Sequence, residues 1–135
     1  MSQKDVDQFK RGLETSNRRD IQALVETLDP EVEWSPAFPV LLGGEAKVYR
    51  GHDGIREIFR GFYDVVDEIH VEYSEIRDLG DRVMGIGRVR TRGTASGAAT
   101  ESPFACISGL KNGKAIRVRT YRDPAEALET AGLRE

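Results

Sequence analysis

Four side chains in this sequence have the chemistry to move a proton or to hold a developing negative charge: Asp123, His52, Tyr63 and Arg88. An imidazole titrates near neutral pH, so His52 can act there as acid or base. Its place at the mouth of a predicted helix suits capping or packing equally well. Asp123 follows the last predicted strand and precedes Pro124-Ala125-Glu126. That run reads as an N-cap, with proline at the first helical position and Glu126 closing a capping box. Arg88 shares one face of its strand with Met84, Ile86, Arg90 and Arg92, while Val83, Gly85, Gly87, Val89 and Thr91 share the other. Alternation does not say which face is inside. An inward arginine face would bind an anion or a polarised carbonyl, with Arg88 stabilising an enolate-like charge. An inward glycine and valine face would leave the arginines in solvent or at a dimer surface. Arg117, Arg119 and Tyr121 pose the same choice against Ile116, Val118 and Thr120. Cys106 lacks a neighbouring base and reads as a buried, inert thiol. His70, between Glu68 and Glu72, reads as surface.

Composition narrows the chemistry further. The chain has 135 residues, 39% hydrophobic and 32% charged, which fits one domain (residues 1–135) with a proper core. Twenty basic and 23 acidic residues give a net charge of -3 without a run of one sign, which argues against nucleic acid as a partner. One cysteine excludes an internal disulfide, and two histidines without spacing partners argue against a metal site. The polar N-terminus carries no apolar signal core, and no stretch of about 18 apolar residues occurs, so no membrane association and a cytoplasmic location are expected.

The elements that must position these residues follow from periodicity. After Ser2 as N-cap, Val6, Phe9 and Leu13 fall on one side of a first helix. Asn17-Arg18-Arg19-Asp20 breaks it. A second short helix turns Ile21, Leu24, Val25 and Leu28 inward and is expected to end at Asp29-Pro30. Val32, Trp34 and Pro36 alternate as in a strand, and residues 37–49 read as a loop able to act as a lid. Gly51-His52-Asp53-Gly54 opens a third helix with Ile55, Ile58, Phe59, Phe62 and Val66 inward. From residue 69 the texture is that of strands: Ile69, Val71 and Tyr73 alternate, residues 83–91 run back after Gly80-Asp81, residues 101–110 follow, and Asn112-Gly113 turns into residues 115–121. A helix with Ala127, Leu128 and Ala131 ends at Gly132. The order predicts an α+β domain, its curved antiparallel sheet set against three N-terminal helices with a short C-terminal helix. Twisted strands of this length curl, and helices on the concave side leave a conical cavity suited to a small molecule.

Four segments, "NRRDIQALVETLDPEVEW", "YRGHDGIREIF", "DLGDRVMGIGRVRTRG" and "NGKAIRVRTYRDPAEALETAGL", resemble in register the SnoaL-like branch of the nuclear-transport-factor-2-like superfamily. That superfamily includes polyketide cyclases and ketosteroid isomerases. The resemblance implies a cone-shaped α+β barrel, commonly a homodimer through the outer sheet face, with no cofactor. It further implies cofactor-free isomerisation, cyclisation or dehydration of an apolar oxygenated compound, with Asp123 or His52 moving the proton and Tyr63, Tyr49 or Arg88 holding the oxyanion. Asp123 lies close to where cyclase-like relatives carry an acid/base aspartate. In such a fold Trp34, Phe38, Tyr49, Phe59, Phe104 and Tyr121 would wall the cavity around a flat ligand. The strand from Val83 to Thr91 contains no acid, so the carboxylate pattern of epoxide hydrolases is not present, and a non-catalytic binding or dimerisation module of the same fold is the alternative.

Overall fold

Helix α1 (Gln3–Asn17) presents Phe9 to the core and is closed by a turn that the sequence marks only as a break. In the computed structural model, which describes residues 3–37 and 47–133, Arg19 N–H donates to the Ser16 carbonyl at 3.0 Å and Asp20 N–H to the Thr15 carbonyl at 3.0 Å. This is a Schellman closure, and it holds Arg19 at φ 60, a left-handed conformation usually given to glycine. Asp20 then caps α2 (Ile21–Glu26), accepting from Ala23 N–H at 3.1 Å. Asn17 has a long-range role as well. Its side-chain amide donates to the Val71 carbonyl at 2.9 Å and accepts from Val71 N–H at 3.0 Å, completing the backbone pairing of an edge strand. The expected Ser2 cap lies outside the described residues.

Several boundaries differ from expectation. Helix α2 ends at Glu26, because Thr27 turns its hydroxyl back to the Leu24 carbonyl at 2.7 Å; Leu28, Asp29 and Pro30 belong to β1 (Leu28–Ser35). Pro30 is accommodated where the pairing of β1 shifts register, so the missing N–H is not needed. Tyr49 and Arg50, read as the end of a loop and the approach to a helix, form β2 (Tyr49–Arg50) against Trp34 and Glu33. The lid expected over residues 37–49 falls mostly outside the described residues. Helix α3 (Gly51–Val65) buries Ile55, Ile58 and Phe59 as its spacing predicts. Val66 is not helical: it is extended, caps α3 and begins β3 (Val66–Asp78), in keeping with the β-branched pair Val65-Val66.

The meander continues through β4 (Arg82–Gly93), β5 (Ala99–Lys111) and β6 (Lys114–Tyr121), and the chain ends on α4 (Pro124–Thr130). Strand order is β2-β1-β6-β5-β4-β3. β1 runs parallel to β6, so the curved sheet is mixed where an antiparallel one was expected. It also remains open, a cone that does not close into a barrel, with β2 and β3 at its edges. Apolar groups gather on both faces of this sheet. Phe9, Leu24, Val32, Ile55 and Ile58 join Val83, Val89, Phe104 and Val118 between the helices and the inner face. Met84, Ala105, Ile107 and Tyr121 are covered on the outer face by Ala127 and Leu128 of α4. No helix among the described residues is long and apolar enough to cross a membrane.

Two glycines let β3 fold over β4. A Cβ on Gly87 would be driven into the Glu72 carbonyl oxygen and would lie 2.7 Å from Tyr73 Cα, and one on Gly85 would lie 2.8 Å from the Tyr73 ring. At Gly87 the obstacle is backbone, which cannot rotate aside. Gly87→Ala is therefore expected to destabilise the protein by roughly 3 kcal/mol or more. Gly109→Ala, whose Cβ would meet neighbours only at 3.8 Å and beyond, should cost under about 1 kcal/mol. Urea midpoints of the two variants measure the difference, and equal midpoints would refute this account of the close approach.

Candidate functional site

Between the inner sheet face and the three N-terminal helices lies a cavity of about 130 Å³. Its wall is mainly apolar and aromatic, with Phe9, Trp34, Phe59, Phe62, Tyr73 and Phe104 among its members. The rings are mutually fixed: Tyr73 stacks on Phe9 at 5.4 Å and on Phe104 at 6.5 Å between centroids, and Phe59 meets Trp34 edge-on at 6.1 Å. Such pairs hold ring orientation as well as burying area.

The polar groups on this wall are neutral. Gln8, Thr91, Ser108 and Thr120 contribute amide and hydroxyl groups, and Thr120 Oγ1 is engaged by Ala37 N–H at 2.7 Å. The distinctive pair is Tyr73 and Cys106, which approach each other across the width of β4. Gly85 makes this possible, since the Tyr73 ring lies where its side chain would be. Burial drives the Tyr73 phenol well above its ordinary 10.0, and the charge of a Cys106 thiolate and the bond to it act in the same direction. Burial likewise pushes the Cys106 thiol up to about 12, against the stabilising bond from Tyr73. At neutral pH both are donors without charge. Among the described residues, no Asp, Glu, His, Lys or Arg side chain lines the cavity.

Of the residues singled out in the sequence, Trp34, Phe59 and Phe104 meet in the cavity wall. The structure resolves the choice of strand face: Val89 and Thr91 line the cavity, whereas Arg88, Arg90 and Arg92 project outward. Arg88 lies 3.6 Å from Glu101 and is solvent-exposed, so its expected place beside a bound oxyanion is corrected. Asp123 is exposed and caps α4, accepting from Ala125 N–H at 3.0 Å; its carboxylate does not line the cavity. His52 Nε2 lies 2.9 Å from the Leu28 carbonyl, which can only accept, so the ring donates there and ties α3 to β1. Tyr63 lies outside the cavity, half-buried under the Arg19 guanidinium 3.7 Å above its ring. Burial raises its phenol above the ordinary value, with Arg19 opposing. Tyr49 packs in the core against Gly54 and not in the cavity wall. Tyr121, 3% exposed, lies on the outer sheet face beneath α4, because it shares the parity of Arg117 and Arg119. Phe38 lies outside the described residues.

Sequence reasoning passed over Tyr73 as a site residue, and over its approach to Cys106. The available signal was the pair Gly85 and Gly87 on one strand face, since glycine inside a strand marks close approach of another group.

The SnoaL-like domain family matches residues 9–118. A search of curated proteins finds no match. Solved structures share the fold. An NTF2-like protein of unknown function from Burkholderia pseudomallei superposes with a TM-score of 0.81 at 22% identity, covering 96% of this chain and 97% of its own. TerC, crystallised with polyporic acid, gives 0.80 at 22% identity over 96% and 98%. An NTF2-like protein from Burkholderia thailandensis gives 0.77 at 24% identity over 99% and 100%.

The raised thiol has a consequence for stability. Below the ordinary value of 9.0 folded and unfolded chains both hold the Cys106 proton, and the native state keeps its full advantage. Between 9.0 and about 12 the unfolded chain alone releases it, so stability falls as pH rises. The slope contributed approaches about 1.4 kcal/mol per pH unit. Urea unfolding at a series of alkaline pH values should show Cys106→Ala losing stability less steeply than wild type, and parallel curves would exclude the thiol as a source of the loss.

Proposed function

We propose, for a chain that belongs to the SnoaL-like domain family, that the inner cavity binds a small, flat, largely apolar molecule bearing a hydrogen-bond-accepting oxygen. The observation that carries this reading is the Tyr73 phenol, held neutral in an aromatic wall and set by Gly85 against Cys106. A neutral donor in an apolar pocket recognises a carbonyl or ether oxygen without the cost of burying a charge. A volume of about 130 Å³ suits a body of one ring; an engineered apolar cavity of about 150 Å³ takes benzene. TerC, of the same fold, was crystallised with an organic ligand, polyporic acid.

Binding without turnover is favoured over acid/base catalysis. Proton transfer needs a base within hydrogen-bond reach of the substrate. The two groups best suited by type, Asp123 and His52, are engaged by the Ala125 N–H and the Leu28 carbonyl, and Tyr73 and Cys106 hold their protons at neutral pH. The same reading includes a homodimer through the outer sheet face, where Arg88, Arg90 and Arg92 alternate with Glu68 and Glu101. A surface of both signs can be matched to itself by a two-fold axis.

Trp34, the single tryptophan, lies in the cavity wall and reports occupancy by its emission. Acetophenone is expected to perturb that emission saturably, and Tyr73→Phe to weaken its binding about tenfold. Toluene, which offers no acceptor, should bind both proteins alike. Equal acetophenone affinities would remove Tyr73 as the anchor. Conversion of an enolisable ketone by wild type and not by Tyr73→Phe would replace binding by catalysis.

A further inference from the structure

A second concavity lies on the opposite side of Phe59. The turn between α1 and α2 and the face of α3 enclose an open groove of about 360 Å³, lined by Arg19, Arg56, Arg60, Ile21, Phe59 and Tyr63, with Gln22 at its edge. Three arginines line this groove in a protein whose net charge is negative. Arg56 and Arg60 stand four residues apart and so share one side of α3. Arg19 comes from the turn between α1 and α2. Its left-handed backbone, φ 60, turns the chain from α1 into α2, and its guanidinium is spread over the Tyr63 ring at 3.7 Å.

The charge balance differs from that of the outer sheet. There Arg88, Arg90 and Arg92 each meet a carboxylate. In the groove Arg56 alone has one, Asp53 at 2.9 Å, and that carboxylate is fully exposed. Arg19 donates to the Asp67 backbone carbonyl at 3.3 Å, and Arg60 forms no ion pair among the described residues. Three arginines with one carboxylate within ion-pair distance stand beside a floor made by Ile21, Phe59 and the Tyr63 ring. Planar guanidinium forks match the oxygens of a tetrahedral dianion, and the apolar floor matches the organic part of its ester.

We propose that this groove is a second binding site, separate from the inner cavity, and that it takes an organic phosphate monoester, its phosphoryl oxygens held by Arg19, Arg56 and Arg60. The assignment does not depend on what occupies the inner cavity.

Calorimetric titration of the full chain with phenyl phosphate, inorganic phosphate and benzoate at low ionic strength tests it. Phenyl phosphate should bind with one-to-one stoichiometry and more tightly than either of the others. Arg19→Gly and Arg60→Gln should each weaken it at least tenfold. Arg88→Gln, on the outer sheet, should leave it unchanged. Glycine suits the left-handed position of Arg19, so Arg19→Gly removes the cation without opposing the fold, and an unaltered circular dichroism spectrum confirms this. Inorganic phosphate binding as tightly as the ester would overturn the monoester assignment in favour of the free anion. Benzoate binding as tightly would overturn the dianion. The absence of saturable binding at millimolar ligand, or an equal loss in Arg88→Gln, would overturn the site, as would tighter binding of an acidic peptide or an oligonucleotide. Retention of the Trp34 response to acetophenone in Arg19→Gly separates failure here from failure of the cavity reading.

Discussion

The close approach of β3 to β4 at Gly85 and Gly87 sets where the cavity ends and what its wall can do. Any side chain at Gly85 would occupy the space of the Tyr73 ring, and any at Gly87 would meet the backbone of Glu72 and Tyr73. The pairing of β3 shifts register between Tyr73 and Glu75 at the same level. A bulge facing glycine lets one strand coil strongly over its neighbour. The consequences spread in both directions. Toward α1, the ring is lowered onto Phe9; toward β5, its hydroxyl is brought to Cys106. Two missing side chains and a bulge thus set the approach of the strands, the aromatic packing and the position of a polar group in the cavity.

The outer face follows a different economy. Near the 82–86 end of β4, Met84 and Ile86 pack with Ala105, Ile107, Tyr121 and the helix α4. Toward the other end the same parity carries Arg88, Arg90 and Arg92, paired with Glu101, Glu68 and Asp67 across the neighbouring strands. These pairs are exposed, and each contributes little to stability. They make that half of the face charged, in contrast to the apolar half covered by α4. Asp123 belongs to this arrangement: by capping α4 it fixes the helix that covers the apolar half.

Much of this could be read from the residues. The helix periods of α1 and α3, the Asn112-Gly113 turn, the Asp123 cap and the aromatic contributions of Trp34, Phe59 and Phe104 all rest on local chemistry, and they stand in the structure. The parallel contact of β1 with β6 is different, because it joins segments some eighty residues apart and leaves no local mark. The face choice of β4 was hidden for a related reason. Valine and glycine on one side and methionine, isoleucine and arginine on the other are both consistent with an inner face until α4 is known to cover the outer one. Tyr121 was misplaced by that same helix: a buried tyrosine was expected, and the layer in which it is buried depends on what crosses the sheet behind it. Thr27 ended α2 ahead of Pro30 because a hydroxyl returning to the backbone competes with propagation of the helix, and that signal is weaker to the eye than a proline.

The contrast between neutral cavity and charged exterior bears on what this scaffold can do. In an apolar, water-poor pocket, burial raises the pKa of a carboxylate, and acid/base enzymes use that shift to hold or release a proton near neutrality. The inward positions of β4, β5 and β6 are places where such a group could stand. Here they carry Val89, Thr91, Phe104, Cys106, Ser108, Val118 and Thr120. The same burial acting on a thiol and a phenol moves their pKa values away from neutrality, since both already lie above it. Desolvation that would make a base of a carboxylate therefore locks these groups as donors. A donor that stays protonated can orient an oxygen without exchanging a proton with it.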